Sequence, residues 1–293
     1  MLRRLACLVV LGALPGQAAA QGLSVYAVNY PLAYFAERIA GDAAEVVLPV
    51  PADRDPAFWR PSIAEIGAFQ AADLILLNGA GFADWTTRAS LPPARTVDTS
   101  RDFADRYIAT EGVTHSHGPE GEHSHTATAA FTWLDFTLAA EQARAIAAAL
   151  ARRAPGQAAQ FEARRNALIG DLAGLDQLAL DLPDPAPGTV IIASHPRYQY
   201  FARAYELDIA SVEWDPRETP GPDAWAAFDA LAEGARRVVM IWEAEPTPET
   251  RSLLEERGVT IAVLPTLANR PLNADFLSAI ATGLADLHDA LAP

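Results

Sequence analysis

Cysteine is all but missing from this chain of 293 residues: the single thiol, Cys7, sits in an apolar stretch near the start, and none follows it. Past that stretch, disulfides, thiolate nucleophiles and cysteine metal sites are excluded together. Any metal has to be held by His, Asp, Glu or water. Basic residues are also scarce, 22 Lys and Arg against 37 Asp and Glu for a net charge of −15. That balance argues against nucleic acid or anionic lipid as a partner, although solubility alone accounts for much of it. The longest apolar run, Leu5 to Leu14, is about half of the roughly 20 residues that span a bilayer. Catalytic signatures are lacking too. There is no Gly-x-Ser-x-Gly elbow, phosphate loop or His-Glu-x-x-His, and Gly79-Ala80-Gly81 is too short for a dinucleotide fingerprint. Ser194 and His195 are no catalytic pair, because neighbours in a strand face opposite sides. A hydrolase would have no nucleophile to name, and no enzyme is expected.

The first residues, Met1-Leu2-Arg3-Arg4, the apolar run and Gln17-Ala18-Ala19-Ala20 have the layout of an export signal, residues 1–20, cut after Ala20. Cys7 lies inside the apolar segment rather than at its end, so lipid attachment is not expected. A soluble periplasmic protein is. Loss of Arg3 and Arg4 takes the net charge from −15 to −17.

Short β-branched runs alternate with helical patterns, the grammar of βαβ units with parallel sheets. Strands are expected at 23–29, 45–50, 74–78 and 96–98, with helices at 32–40 and 62–71. The alternation returns with strands at 189–193, 209–214, 237–242 and 260–264 and helices at 198–205, 223–233, 248–257 and 274–291. Between these halves, residues 138–182 are mostly Ala, Leu, Arg, Glu and Gln, broken at Pro155-Gly156, which predicts a long helix from near Gln157 to about 182. The expected fold class is α/β, two parallel-sheet βα lobes joined by a long rigid helix. The division is 21–134 for the first lobe, including a His-rich loop at 108–129, 135–184 for the helical connection and 185–293 for the second lobe.

Four of the six histidines, His115, His117, His123 and His125, lie in one string around the turn sequence Gly118-Pro119-Glu120-Gly121. Each pair has i, i+2 spacing and faces one side of an extended backbone, and a turn would bring the pairs together. Four neutral imidazoles suit zinc, nickel or copper(II). A plain polar loop is the bland alternative, and a loop poorly ordered without metal is compatible with both. His195 follows the apolar strand Val190-Ile191-Ile192-Ala193, and Glu243 follows Val238 to Trp242. Ligands of open α/β sheets gather at such carboxyl ends. Glu213 and Asp215 flank Trp214 at another strand end. Each carboxylate could instead cap a helix or pair with Arg197 or Arg217, and His195 could be a helix-start residue packed under Tyr198. His288, beside Asp289, is expected to be exposed.

These strings resemble the zinc and manganese solute-binding proteins of bacterial ABC importers over essentially the whole chain after the leader. The residues that carry the likeness are Asn29-Tyr30-Pro31-Leu32, Ala72-Asp73-Leu74-Ile75 with Asn78-Gly79-Ala80-Gly81-Phe82 and Trp85, Trp133-Leu134-Asp135, and Ser194-His195 with Tyr200-Phe201-Ala202. The resemblance implies a monomeric receptor that captures a divalent metal, zinc foremost with Mn2+, Ni2+ or Cu2+ behind it, and passes it to an ABC permease. A periplasmic metal chaperone without a permease is the alternative. Three positions depart from the pattern. Ala57 follows Asp55-Pro56 where the family places a His, Phe131 stands where a second His is usual, and Pro265 replaces the closing Asp. Of the usual ligands only His195 carries over. A relocated site is therefore expected, with His195 and Glu243 meeting histidines of the 115–125 string, and metal binding that weakens as pH falls through about 6.5, where an ordinary imidazole protonates.

Overall fold

The computed structural model describes residues 22–110 and 127–293. In the first half, β1 (Leu23–Ala27), α1 (Tyr30–Ala40), β2 (Ala44–Val47), α2 (Ile63–Ala71), β3 (Leu74–Leu77) and β4 (Thr96–Asp98) follow one another. All four strands are parallel, in the order β2-β1-β3-β4. Capping side chains fix the helix starts. Asn29 Oδ1 accepts from the Leu32 amide at 3.3 Å, with Pro31 in the first turn of α1, and Ser62 with Glu65 forms a capping box on α2. In Gly79-Ala80-Gly81 all three residues have positive φ (75°, 50° and 76°), which explains two glycines in a string too short for a nucleotide loop.

The second half repeats the plan with β7 (Thr189–Ala193), α5 (Gln199–Ala204), β8 (Ile209–Ser211), α6 (Pro222–Leu231), β9 (Arg237–Trp242), α7 (Pro248–Glu256), β10 (Val259–Val263) and α8 (Phe276–Leu291). Its parallel sheet runs β10-β9-β7-β8. Central strands such as Leu74 to Leu76 and Val239 to Trp242 are buried residue after residue, as parallel strands covered on both faces must be. The two expected α/β lobes are thus present, and several strand ends fall one to three residues short of the sequence limits.

The connection is two helices, α3 (Phe136–Arg153) and α4 (Ala158–Leu180), parted at Pro155-Gly156-Gln157. Asp135 caps α3 by accepting from the Thr137 and Leu138 amides. Helix α4, about 35 Å long at 1.5 Å per residue, buries one stripe, Phe161, Leu168, Leu172, Leu175 and Ala179. That stripe joins the main apolar core, which runs through both lobes. A second crossing reinforces the first. The segment after β10 returns to the first lobe, where the Trp133 indole donates to the Thr266 carbonyl (2.7 Å) and the Tyr30 amide to that of Ala268 (2.8 Å). Phe276 at the head of α8 then packs edge-on against Phe35 of α1. Residues 108–110 and 127–129 differ from the loop expected there. β5 (Ala109–Thr110) and β6 (Ala127–Thr128) pair antiparallel, extended by an Ala129 amide to Ile108 carbonyl bond, because a backbone pair satisfies groups that an open loop would leave to water. Among the described residues, no helix is long and apolar enough to cross a membrane.

Candidate functional site

In chain order, both sheets read second, first, third, fourth strand. Connections leave the first and third strands in opposite directions, and a crevice opens beyond their carboxyl ends. In the second lobe that switch point lies between β7 and β9. The Ser194 amide continues the ladder by donating to the Ile241 carbonyl at 2.8 Å, and Ser194 is fully buried. The next side chain, His195, therefore turns the other way, into the interlobe cleft, where Glu243 from the end of β9 meets it. His195 Nδ1 lies 3.3 Å from Glu243 Oε1. The atoms are not aligned as a hydrogen bond, and Nδ1 is a buried nitrogen with no hydrogen-bond partner. Burial, helped by the Arg197 charge, pushes the imidazole down to about 4, so it is neutral near pH 7 with a lone pair to offer. Burial raises the Glu243 carboxyl, and Arg197 beside it holds that rise in check.

Arg197 occupies the centre of the cleft. Its guanidinium donates to Glu243 Oε2 at 2.7 Å and, across the lobe boundary, to Asp55 Oδ2 at 2.6 Å. It lies over the Phe131 ring, 5.1 Å from the centroid. The Arg197 side chain is 13% exposed, so this is a largely desolvated carboxylate–cation–carboxylate bridge, in which removing the cation would leave two poorly solvated anions. The cleft encloses about 790 Å³, far more than a bare ion fills. Pro265, Thr266 and Leu267 of the returning segment close one side of it.

A family described as ZnuA, zinc-uptake complex component A periplasmic, matches residues 25–290. The chain belongs to this family. It is 25% identical over 266 residues to the high-affinity zinc uptake system protein ZnuA of Bacillus subtilis (strain 168), covering 86% of this chain and 81% of that protein. It is also 25% identical over 274 residues to the zinc-binding lipoprotein AdcA of Streptococcus pneumoniae (serotype 4, strain ATCC BAA-334 / TIGR4), covering 89% of this chain. The chain spans about half the length of AdcA, 53%. In fold it is similar to the metal-dependent lipoprotein YcdH from Bacillus subtilis, with a TM-score of 0.77 at 22% identity over 92% of this chain and 99% of the other. A member of the ZnuA family is a solute-binding component of a metal-uptake complex, not an enzyme.

Within that family frame, the three departures acquire positions. Phe131 is buried under the Arg197 guanidinium, Pro265 lines the cleft, and Ala57 lies next to it, its amide donating to Asp55 Oδ1 at 2.9 Å. An aromatic face and a guanidinium thus stand together in the cleft. The sequence reading weighed Arg197 only as a neighbour of a carboxylate and passed over Asp55. The signal for both was the Asp55-Pro56 string and the Arg two residues past His195.

The other candidates divide. Asp215 lines the cleft but is held down at about 2 by Arg217, which pairs with it at 2.7 Å. Glu213, one alternation away, is exposed and borders a shallow depression beside Trp214. His195 is not a core residue, since its side chain is 21% exposed and lines the cleft. His288 is exposed beside Asp289. His115, His117, His123 and His125 lie outside the described residues. Among the described residues, no three His, Asp or Glu side chains stand within reach of a single ion. Burial thus holds the metal-free His195 imidazole at about 4, below the value near 6.5 of an ordinary imidazole.

Proposed function

We propose that this chain is an exported periplasmic receptor that captures a divalent metal ion, zinc foremost, and hands it to an ABC-type permease in the inner membrane. Residues 1–20 serve as the export signal, and the protein works as a monomer. The observation that carries the reading is the neutral, hydrogen-bond-free His195 Nδ1 set 3.3 Å from Glu243 Oε1. Zinc bonds of about 2.1 Å to nitrogen and oxygen at tetrahedral angles place neighbouring donors roughly 3.4 Å apart. The pair thus has the spacing of one edge of a zinc tetrahedron, which a proton or a cation between the two atoms would satisfy. The family, whose related proteins are named for zinc, supports the choice of ion. Histidines 115, 117, 123 and 125 are proposed to take part in capture, since neutral imidazoles bind divalent metal.

The test is calorimetric titration of zinc into the wild type, His195→Ala and Glu243→Ala, each with and without residues 115–125. Loss of a direct ligand should exceed the 10- to 100-fold effect usual for groups one shell out. His195→Ala is therefore expected to weaken cleft binding by about 100-fold or more in the loop-deleted chain. Wild-type affinity and stoichiometry for His195→Ala in both backgrounds would remove the cleft from the proposal.

A further inference from the structure

Arg197 is more than a neighbour of the proposed ligands. Two carboxylates from different lobes converge on its guanidinium at 2.6 and 2.7 Å, and the second oxygen of one of them, Glu243 Oε1, faces the unpartnered His195 nitrogen. A cluster of one neutral imidazole and two carboxylates around a fixed cation has the donor set of a divalent-metal site with the metal replaced by a side chain. Charge sharpens the comparison. Asp55 and Glu243 together carry two negative charges, of which a guanidinium cancels one and a divalent ion cancels both. The cleft's 790 Å³ and the flexible stem of an arginine leave the guanidinium room to withdraw along the face of Phe131.

We propose that Asp55, His195 and Glu243 form a three-donor divalent-metal site whose cation position is held, in the metal-free protein, by the Arg197 guanidinium, so that a metal enters by displacing it. This deepens the metal-receptor reading and rests on it. It names Asp55 as the ligand of the first lobe, two residues before Ala57. It makes Arg197 the residue that sets affinity, since every binding event must break both of its ion pairs and seat a dication a few ångströms from a cation. It also accounts for the lack of three clustered donors among the described residues, because the guanidinium keeps Asp55 apart from the other two until it leaves. The like-charge repulsion and the two pairs together make Arg197 an obstacle to metal, not an aid.

The experiment uses the full chain with His115, His117, His123 and His125 replaced by Asn, so that only the cleft is read. Zinc affinity is measured for this parent and for Arg197→Gln, Arg197→Lys and the Asp55→Asn/Arg197→Gln double variant. Binding is expected to tighten about tenfold or more in Arg197→Gln, to stay near the parent in Arg197→Lys, which keeps the charge, and to weaken at least tenfold from Arg197→Gln to the double variant. NMR of the guanidinium Nε–H of Arg197 in the parent supplies a readout independent of affinity: its shift should move to a solvent-exposed value at one equivalent of zinc. Equal or weaker binding by folded Arg197→Gln overturns the inference, as does an Arg197 signal that does not move at zinc saturation. Should Arg197→Gln fail to fold, the parent's NMR decides alone. The two readings fail differently. Zinc bound equally by all variants, and still lost with His195→Ala, ends only the Arg197 inference, whereas no zinc bound by the parent or by Arg197→Gln ends the cleft metal site itself.

Discussion

The two lobes place side-chain pairs at equivalent points of the same topology. Beyond the first and third strands of the first lobe stand Asn29 and Asn78, with the Asn29 amide donating to Asn78 Oδ1 at 3.3 Å. Beyond β7 and β9 of the second lobe stand His195 and Glu243, also 3.3 Å apart. The asparagines are wholly buried, and each of their side-chain polar atoms has a hydrogen-bond partner. Asn78 donates to the Ala130 and Gly79 carbonyls and accepts from Gln142 and Thr132 as well, while Asn29 also caps α1. The His–Glu pair keeps 21% and 14% of its side-chain surface and leaves a ring nitrogen unpaired. A switch point thus supplies only a place. Neutral amides that satisfy one another make it a rivet, whereas an imidazole beside a carboxylate is the pair we propose as a cation site.

Exchanging the roles should therefore fail in opposite ways. Asn78→Leu strands the Asn29 amide in the core, takes one of two acceptors from Gln142 and is expected to cost about 3 kcal/mol of stability by denaturant melting, with zinc affinity kept wherever the protein remains folded. His195→Ala is expected to shift the metal-free melting curve far less while removing the cleft metal. A large stability loss for His195→Ala, or a zinc defect for folded Asn78→Leu, would dissolve the distinction between rivet and site.

A smaller effect separates the pairs by pH. Between about 6.5 and 4, an unfolded-state imidazole takes up a proton that folded His195 refuses. The metal-free protein therefore loses stability as pH falls through that window. Because the ring is partly open to water, the loss is about 1–2 kcal/mol rather than the full value of the shift. His195→Asn should abolish this part of the acid slope. The raised Glu243 carboxyl acts in the opposite sense, contributing stability on the acid side that is lost as pH rises through its folded value, so the difference between the two proteins is the readout. Identical slopes would contradict a buried neutral imidazole. Zinc held by the cleft should likewise persist at pH 5, where zinc on imidazoles of ordinary acidity is released.

Much of this was legible in the residues. Period and punctuation reveal the strands, the helices and the break at Pro155-Gly156, because these are local devices with local signatures, whereas Asn29 and Ser62, expected within a strand and a helix, prove to be helix caps. His195 and Glu243 were legible because each ends an apolar strand in a parallel lobe, where topology dictates a crevice. Arg197 bridging to Asp55 was not, since the pairing joins residues 142 positions apart and depends on how the lobes face each other. The return of Phe276 to the first lobe escaped for the same reason: an amphipathic stretch announces an apolar face but not which surface covers it.

The central claim is that the switch point of the second lobe binds a divalent ion. Its most direct test is anomalous diffraction at the zinc edge from crystals of the protein grown with one equivalent of zinc. The account predicts a zinc peak about 2.1 Å from a His195 ring nitrogen and from a Glu243 oxygen, with the Arg197 guanidinium withdrawn from Glu243. A zinc peak elsewhere, with the Arg197 bridge between Asp55 and Glu243 intact, would contradict it.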